Sequence, residues 1–469
     1  MSSAQAGSGA HASTQRPRIG LLFSYDWDDD AFSALQHRFV FDRAGFDLFS
    51  FPSSAHLVHF DIQRFAKAQA RRGQRLGWAG VVSHHEQFGV LAAALVAQAM
   101  GLPGTAPDAV LAAQHKLHAR RVLQQVAPEA NLGFAELDVV YGDNIPHGLL
   151  YPAFVKPVKA AFSVLARTVN SHAELQAHTR FGRRELWVIR RLVQPFERVM
   201  QARLPGSSSA HRMLLEEALP VHTPQFNLDG WVFNGQARAL GVVDAVMYPG
   251  TQAFMRWEVP SRLAADVQTQ ALAVAQKFLA AIGFTHGCFN MEFFYDAGTQ
   301  RLSVIEFNPR LASQFSDLHR RVQGVDAHAL SLALALGQDP AALPRSAPTA
   351  GAAASLVYRV FDGSNAPPMP NAAQQAQVAQ RFSDSRLFTY SKSAHAVQRD
   401  FKWLGSYRYG IIHLGGRDAQ HLRERCEQAS SLLGWPAPYV DFSNVHRTAL
   451  AGQAGAAHEL NSTYPGVFQ

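Results

Sequence analysis

An apolar stretch between residues 287 and 310 contains two glutamates and two asparagines, each pair at alternating positions. Its pattern predicts two short strands joined by a tight turn at residues 296–298. Side chains of a strand alternate between its two faces, so every second residue shares a face. A hairpin brings one face of each strand together. The side chains expected on this common face are Asn290, Glu292, Phe294, Glu306 and Asn308.

This common face has the chemistry of a cation site. Two buried carboxylates side by side are unfavourable unless a cation neutralises them. Hard oxygen ligands of this kind suit Mg²⁺, especially a Mg²⁺ that also holds substrate phosphates. The alternative from the same pattern is a half-buried hairpin whose polar face points to water.

The composition is that of an ordinary globular protein, with 47% hydrophobic and 17% charged residues. A length of 469 residues is too great for one core and predicts about two to four domains. The net charge of +7 comes from scattered arginines rather than one basic run. Nucleic-acid binding is therefore not expected, because no basic patch with interleaved aromatics accompanies the charge.

The sequence gives no sign of export or of a membrane segment. Residues 1–16 are rich in Ser, Ala and Gly, which predicts a disordered leader rather than a secretory signal. No run reaches the roughly 18 apolar residues of a membrane-spanning helix. Cys288 and Cys426 are too few for a disulfide framework and lack metal-site spacing. We therefore expect a cytoplasmic protein that does not bind a membrane.

Strands alternate with helices over residues 17–106, which predicts a parallel α/β domain. No G-x-G-x-x-G occurs in it, so an independent dinucleotide site is not expected. His84 and His85 follow the third strand, where open α/β sheets bind ligands; a polar loop between strand and helix is the favoured interpretation, and a contact to substrate is the alternative. The predicted strands are residues 19–25, 46–51 and 80–83, and the predicted helices are residues 28–44, 61–72 and 86–100.

Residues 107–340 form a second predicted unit, with a small lobe at about 150–218. Lysine is scarce in the chain, yet Lys156 lies in a mostly apolar strand, where its ammonium must find an anion or reach solvent. The polar residues 196–212 predict a mobile surface loop. Besides the hairpin, the predicted elements are helices at 107–126, 264–282 and 327–336, and strands at 151–157, 164–168, 186–192, 214–219, 225–233 and 237–247.

The remaining chain predicts a Pro-rich linker, a small α+β cap and a loose tail. The linker covers residues 341–350, the cap residues 351–450 and the tail residues 451–469. The fold class is thus a multidomain protein of α/β and α+β parts. The elements predicted in the cap are strands at 353–361, 386–390 and 409–414 and a helix at 418–433.

Taken in order, several of these segments resemble the motifs of the ATP-grasp superfamily. The resemblance covers most of the chain and implies a pre-ATP-grasp domain, a two-lobed nucleotide-binding domain and the cap of the biotin carboxylase and carbamoyl phosphate synthase branch. An N-x-E placed 14 residues before E-x-N-P-R is the more specific part. The matching segments are Lys116, the V-K-P at Lys156, the L-L-E-E at 214–217, the N-x-E at 290–292 and the I-E-F-N-P-R ending at Arg310.

The resemblance implies roles for these residues around ATP and Mg²⁺, with Mn²⁺ as an alternative ion. Arg310 would pair with a transferred phosphate or a substrate carboxylate, with Lys156 and Asn308 beside it as catalytic residues. Lys116 as a surface lysine and Glu217 as an ordinary strand-end acid are the competing interpretations. The implied metal ligands are Glu292, Glu306 and Asn308, and the implied nucleotide contacts are Lys116, Lys156, Lys159, Ser163, Glu216, Glu217, Leu219, Gln225 and Phe294.

The sequence departs from the superfamily pattern at four places. The loop after V-K-P lacks glycine, so Lys159 and Ser163 would contact phosphates through side chains. Gln225 stands where a ribose-binding glutamate is common, and an amide is a weaker acceptor. Gln314 replaces the glutamate of the biotin carboxylase branch and is not a base. Ala312 and Ser313 replace the glycine pair found in many amino-acid ligases.

The function implied is ATP-dependent activation of a carboxylate as an acyl phosphate, followed by attack of an amine. The partners are therefore a small-molecule carboxylate and a small-molecule amine, with a homodimer as the default assembly. One alternative is bicarbonate activation of the biotin carboxylase or carbamoyl phosphate synthase type. The other is a degenerate nucleotide-binding regulatory module without turnover.

Overall fold

The computed structural model describes residues 16–46, 59–140, 144–160, 165–220, 223–361 and 369–439. The predicted tail at 451–469, the predicted leader up to residue 15 and Ser163 lie outside the described residues. Residues 47–51 of the second predicted strand lie outside them as well.

The N-terminal part contains a parallel three-stranded sheet in the order β2-β1-β3, which confirms the predicted α/β character. The helix predicted at 28–44 is wrong in its second half, because α1 ends at Ala34 and a strand follows. Asp42 in that strand accepts hydrogen bonds from Arg18 at 2.9 Å and Trp78 at 2.8 Å. Arg18 lies on β1 and Trp78 on β3, the other two strands of the sheet, so the local sequence does not show these contacts. The elements are β1 Arg18–Leu22, α1 Asp26–Ala34, β2 Val40–Ala44, α2 Ile62–Leu76, β3 Trp78–Val82 and α3 Gly89–Met100.

The helix predicted at 107–126 is two helices, α4 Pro107–Gln114 and α5 Lys116–Val126. His115 between them has extended backbone angles, and its Nδ1 accepts a hydrogen bond from the backbone amide of His118. The histidine thus caps α5 with its ring and redirects the chain. This break sets the direction of α5, which carries Lys116 on its first turn.

The small lobe is an antiparallel sheet in the order β4-β7-β5-β6 with a long helix beside it. The strand predicted at 186–192 is wrong, and so is the first half of the loop predicted at 196–212, because α7 spans both. Ile189, Val193 and Phe196 are buried at helical spacing, although Pro195 between them is typical of a helix end. The elements are β4 Phe134–Val140, β5 Ala153–Pro157, β6 Arg167–Val169, α6 His172–Thr179, α7 Arg183–Arg203 and β7 Arg212–Glu217.

The large sheet is antiparallel, with eight described strands in the order β12-β11-β8-β9-β10-β13-β15-β14. In the predicted cap, β13 pairs directly with β10, β15 with β13 and β14 with β15, so the cap extends the sheet that carries the hairpin. The strands are β8 Gln225–Phe233, β9 Gln236–Met247, β10 Phe254–Val259, β11 Gly287–Asp296, β12 Arg301–Asn308, β13 Ala352–Val360, β14 Arg386–Thr389 and β15 Tyr407–Gly416.

Helices cover this sheet and enclose its apolar cores. Phe278 of α8 stacks on Phe307 of β12 with ring centroids 3.9 Å apart, so this helix packs against the hairpin. No helix in the described ranges is long and apolar enough to cross a membrane. The helices are α8 Ala265–Ala281, α9 Ser316–Gln323, α10 Ala327–Ala335, α11 Ala372–Arg381, α12 Ala394–Leu404 and α13 Ala419–Leu433.

Candidate active site

The hairpin β11–β12 places the two carboxylates opposite each other, as its spacing predicts. Glu292 pairs with Glu306 and Asn290 pairs with Asn308 across the two strands. The register shifts directly after Glu292, where a bulge inserts Ile305 into β12. A bulge of this kind redirects side chains and often lies next to a functional site. The expected common face is therefore real, and it ends at the bulge.

Amide side chains hold Glu292 in one orientation. Asn308 donates its Nδ2 proton to Glu292 Oε1 at 3.2 Å and to Asn290 Oδ1 at 3.1 Å. Gln225 donates from Nε2 to Glu292 Oε2 at 3.0 Å. Gln225, the predicted ribose contact, thus lies beside the face formed by Glu292, Glu306 and Asn308, which we name the metal face after the ion predicted there. Phe294, half-buried, lies opposite Gln225 in the neighbouring strand β8.

The two opposed carboxylates have pKa values shifted in opposite directions. Burial and the neighbouring charge of Glu306 raise the pKa of Glu292. Burial alone would also raise the pKa of Glu306, but the ammonium groups of Lys116 and Lys156 outweigh it and lower that pKa. Lys116 Nζ lies 3.0 Å from Glu306 Oε2. The negative charge of Glu306 is therefore balanced by an ammonium group, whereas Glu292 is held by neutral amides.

Glu292, Glu306 and Asn308 fit a hard divalent cation. Glu292 and Glu306 present carboxylate oxygens on one face, where Asn308 now donates from its Nδ2 and would offer its Oδ1 once the amide turns. Mg²⁺ prefers carboxylate and amide oxygens. Glu292 is held by neutral amides and faces Glu306, so its side of the site has a deficit of positive charge. A bound cation would remove this deficit, as expected for a metal site.

Lys156 and Glu216 form a buried ion pair behind the metal face. Lys156 Nζ lies 2.8 Å from Glu216 Oε2 and donates to the carbonyl oxygen of Ile305 at 3.1 Å. Both side chains are less than 5% exposed. The strand β7, whose last residues Glu216 and Glu217 are implied nucleotide contacts, is thereby connected to the bulge in β12. Leu219 is half-buried in the connection after β7.

Arg120 is a site residue that sequence reasoning missed. Its guanidinium donates to Glu216 at 2.6 Å and to the carbonyl oxygens of Val304 and Ile305 at 2.7 and 2.9 Å. The side chain is 2% exposed. Arg120 follows Lys116 by four positions, so both lie on the same face of α5. The spacing of four positions from Lys116 could have identified Arg120 as a site residue. The adjacent arginines 120 and 121 instead suggested a helix face exposed to solvent.

Glu217 lies at the lobe surface rather than in the buried cluster. Arg301 holds it through two hydrogen bonds, 2.8 and 3.0 Å long, from its two terminal nitrogens. Both side chains are 38% exposed. In this state the carboxylate is engaged by Arg301, which agrees with its interpretation as a strand-end acid.

Arg310 faces a second carboxylate that the sequence analysis did not select. Its Nε donates to Glu86 Oε2 at 2.8 Å, and Lys159 Nζ lies 3.9 Å from Glu86 Oε1. Glu86 directly follows His84 and His85 at the end of β3, so it occupies the position where open sheets bind ligands. The histidines drew attention to this loop, but its glutamate makes the contact to the predicted catalytic arginine.

The two histidines have structural partners. Asp28 Oδ1 lies 2.9 Å from His84 Nδ1 and 2.9 Å from His328 Nε2, which ties β3 and α1 to α10. These three residues are spaced closely enough to hold a metal ion, but their atoms already hydrogen-bond to one another. His85 stacks on Tyr25 with ring centroids 4.8 Å apart. Burial lowers the pKa of His85 to about 3, so its ring is neutral at pH 7.

The fold is similar to that of ATP-grasp proteins, and one part of the chain matches a family model of this superfamily. Residues 243–342 match the family model described as the ATP-binding domain of the carbamoyl-phosphate synthase L chain. The matched residues include β11, β12 and the whole metal face. The superfamily resemblance predicted from sequence is thereby confirmed.

Further comparisons cover more of the chain than the family model does. Carnosine synthase 1 from Gallus gallus is 29% identical over 272 residues, which are 55% of this chain and 27% of that protein. This chain therefore spans only a minor part of that relative. The structure also matches an L-amino acid ligase from Bacillus licheniformis with a TM-score of 0.64 and 15% identity, over 89% of this chain and 98% of the other.

A second solved structure, biotin carboxylase from Campylobacter jejuni, matches with a TM-score of 0.55 and 14% identity. The match covers 89% of this chain and 92% of the other. At this level of identity both structural matches concern the fold. The predicted multidomain α/β and α+β class is therefore confirmed.

Proposed function

We propose that the protein is an ATP- and Mg²⁺-dependent ligase that joins a carboxylate to an amine on small molecules. The observation that carries the proposal is the opposition of Glu292 and Glu306 across β11–β12, with Lys116 on one side. The similarity to an L-amino acid ligase and a carnosine synthase supports it. Amino acids are therefore the first substrate class to examine.

The cations of the site have separate tasks in this reaction. Lys116 and Lys156 approach the metal face from α5 and β5, where they would bind nucleotide phosphates as point charges. Arg310 lies beyond the hairpin, and its planar guanidinium suits a carboxylate or a transferred phosphoryl group. Glu292, Glu306 and Asn308 would hold Mg²⁺, which supplies stabilisation of the charge on the transferred phosphoryl group.

A carboxylate must be activated because it is a poor electrophile. Transfer of the terminal phosphoryl group of ATP to its oxygen produces an acyl phosphate with a good leaving group. The chain contributes to this step by positioning and by charge, which account for most of phosphoryl-transfer catalysis. A covalent enzyme nucleophile is not needed, and buried Cys288, whose pKa burial raises, is not suited to be one.

Two alternatives predict different results from the same assay. Bicarbonate activation would give bicarbonate-dependent ADP release, but Gln314 donates to Ser355 Oγ at 2.8 Å and its amide is not a base. A regulatory module without turnover would bind ATP and release no ADP with any acceptor. The opposed acids and the lysines around them favour turnover.

The proposal is tested by measuring ADP release with pooled L-amino acids and small acids, each with and without bicarbonate. We expect release that requires both an acid and an amine and that stops when Mg²⁺ is removed by a chelator. ADP release that depends on bicarbonate alone would contradict the proposal. Absence of release with every pool, together with tight ATP binding, would favour the regulatory module.

Replacing Lys156 by Met should weaken ATP binding by about tenfold or more. A hydrogen bond to a charged group contributes about 1.5–3 kcal/mol, and 1.4 kcal/mol corresponds to tenfold in affinity. Titration calorimetry with ATP measures the change. The matched control is Lys277→Met, since Lys277 is 53% exposed and pairs with surface Glu129. Equal ATP affinity of Lys156→Met and the wild type would contradict the phosphate role.

ATP affinity should fall as the pH rises above about 8, through deprotonation of Lys159. Burial lowers the pKa of Lys159 to about 8, against the opposing influence of Glu86. Below that pH the ammonium is charged and attracts phosphate; above it the free protein must first take up a proton. The fall should disappear in Lys159→Met, measured by titration between pH 7 and 9.5. A decline of the same steepness in this variant would assign the effect to another group.

A further inference from the structure

Glu86 belongs to the N-terminal α/β part of the chain, but its carboxylate lies beside two cations of the following part, Arg310 and Lys159. Its Oε2 accepts a hydrogen bond from Arg310 at 2.8 Å, and its Oε1 accepts one from Gln114 at 2.8 Å. Lys159 lies 3.9 Å away, and Glu86 is 7% exposed. The carboxylate therefore lies where Arg310 would meet the reacting acid.

The loop that carries Glu86 is built to hold a polar side chain in place. Five consecutive polar residues are buried there, an arrangement that is unfavourable unless each has a partner. Gln114 also donates to the backbone carbonyl of Glu86 at 2.7 Å, so the position of Glu86 does not depend on Arg310 alone. Gln87 donates to the carbonyl oxygen of Leu192 at 3.2 Å. The buried residues are Ser83, His84, His85, Glu86 and Gln87.

The proposed reaction needs a proton acceptor at this place. An amine is protonated at neutral pH, and its nitrogen attacks only after losing a proton. Glu292 and Glu306 belong to the metal face, and Glu216 is enclosed between Arg120 and Lys156. Among the described residues, Glu86 is the carboxylate that hydrogen-bonds to Arg310.

We propose that Glu86 binds the ammonium group of the amine substrate and accepts its proton. This inference rests on the proposed ligase function. Once the reacting acid or its phosphate occupies Arg310, Glu86 gains a free oxygen for the incoming ammonium. Glu86 takes one proton, and the nitrogen lone pair forms the C–N bond to the acyl carbon. The C–O bond to phosphate breaks, and phosphate leaves with that electron pair and takes the second proton.

The inference also defines the substrate class. The nucleophile is a cationic amine, because the carboxylate of Glu86 attracts an ammonium group and repels an anionic nucleophile. His85 of the same loop stacks on Tyr25, which helps to fix the backbone next to Glu86.

The test compares an amine with hydroxylamine, which is largely unprotonated at neutral pH and needs no base to attack. The variant is Glu86→Gln in the full chain, with the acid and amine that release most ADP in the pooled screen. We expect amide formation to fall about 100-fold or more, as for loss of a general base, with a higher KM for the amine. Hydroxamate formation from the same acid should stay at the wild-type rate.

The control variant is Glu129→Gln, which removes an exposed carboxylate paired with Lys277 and should leave both products unchanged. Unchanged amide formation in Glu86→Gln would overturn the inference and leave the ligase function intact. Equal losses of amide and hydroxamate would also overturn it, because Glu86 would then only position Arg310. Absence of hydroxamate from the wild-type protein with every acid would instead refute the ligase function itself.

Discussion

Glu306→Gln should abolish Mg²⁺-dependent ADP release, with a loss of about 1,000-fold. A metal ion contributes several kcal/mol of charge stabilisation in the transition state, and each 1.4 kcal/mol corresponds to a factor of ten. Glutamine keeps the size of the side chain but removes the charge that faces Lys116 at 3.0 Å. ADP release with the substrates from the pooled screen measures the effect.

The control for this variant is Glu129→Gln, which removes one exposed carboxylate elsewhere on the surface. A circular dichroism spectrum equal to that of the wild type shows that Glu306→Gln is folded. Wild-type ADP release from folded Glu306→Gln would be incompatible with a metal held by this hairpin. An intermediate loss that additional Mg²⁺ restores would support the assignment, because it would locate the defect in metal affinity.

Arg120→Met should destabilise the protein by about 3–5 kcal/mol, the range for removal of one partner from a buried ion pair. The variant leaves Glu216 with Lys156 alone and removes the Arg120 hydrogen bonds to the carbonyl oxygens of Val304 and Ile305, of which Ile305 keeps Lys156 as a donor. Urea denaturation followed by fluorescence measures the free energy of unfolding. We also expect weaker ATP binding, since Lys156 would then be drawn more strongly to Glu216.

The matched comparison is Arg301→Met, which removes an arginine from an exposed pair with Glu217. An exposed ion pair contributes about 0–1 kcal/mol, so this variant should change stability little. Similar free energies of unfolding for the two variants would show that Arg120 does not support the hairpin as described.

The hairpin is the part of the site that the sequence predicts with its register. Glu292 and Glu306 alternate with apolar residues in strands closed by a short turn, and such a pattern fixes which side chains face each other. The turn between β8 and β9 is local in the same way. Asn-Gly is a typical two-residue hairpin turn, and both Asn234 and Gly235 adopt the positive φ that such a turn requires. These features depend on local sequence only.

The second half of the site depends on tertiary contacts that local patterns do not contain. Arg120 and Arg121 are adjacent in sequence, yet the side chain of Arg120 is 2% exposed and that of Arg121 is 45% exposed. For Arg120, the partners Glu216, Val304 and Ile305 lie 96, 184 and 185 positions away. Glu86 likewise meets Arg310 across 224 positions. A single sequence shows neither the burial of these charges nor their pairing.

The helix α7 was missed for a different physical reason. Its apolar residues suggested a strand at 186–192, and the polar residues at 196–212 suggested a loop after it. Burial of Val193, Phe196 and Met200 against the first domain outweighs the unfavourable effect of an internal proline. Packing thus decided an element for which local propensity gave the opposite prediction.

The most direct test of the account is a crystal structure of the protein grown with ADP and Mn²⁺, with anomalous data collected for manganese. We predict an anomalous peak between the carboxylates of Glu292 and Glu306, with the side-chain oxygen of Asn308 turned toward it and the nucleotide phosphates on its other side. Bound ADP with no manganese at these two glutamates would contradict the account.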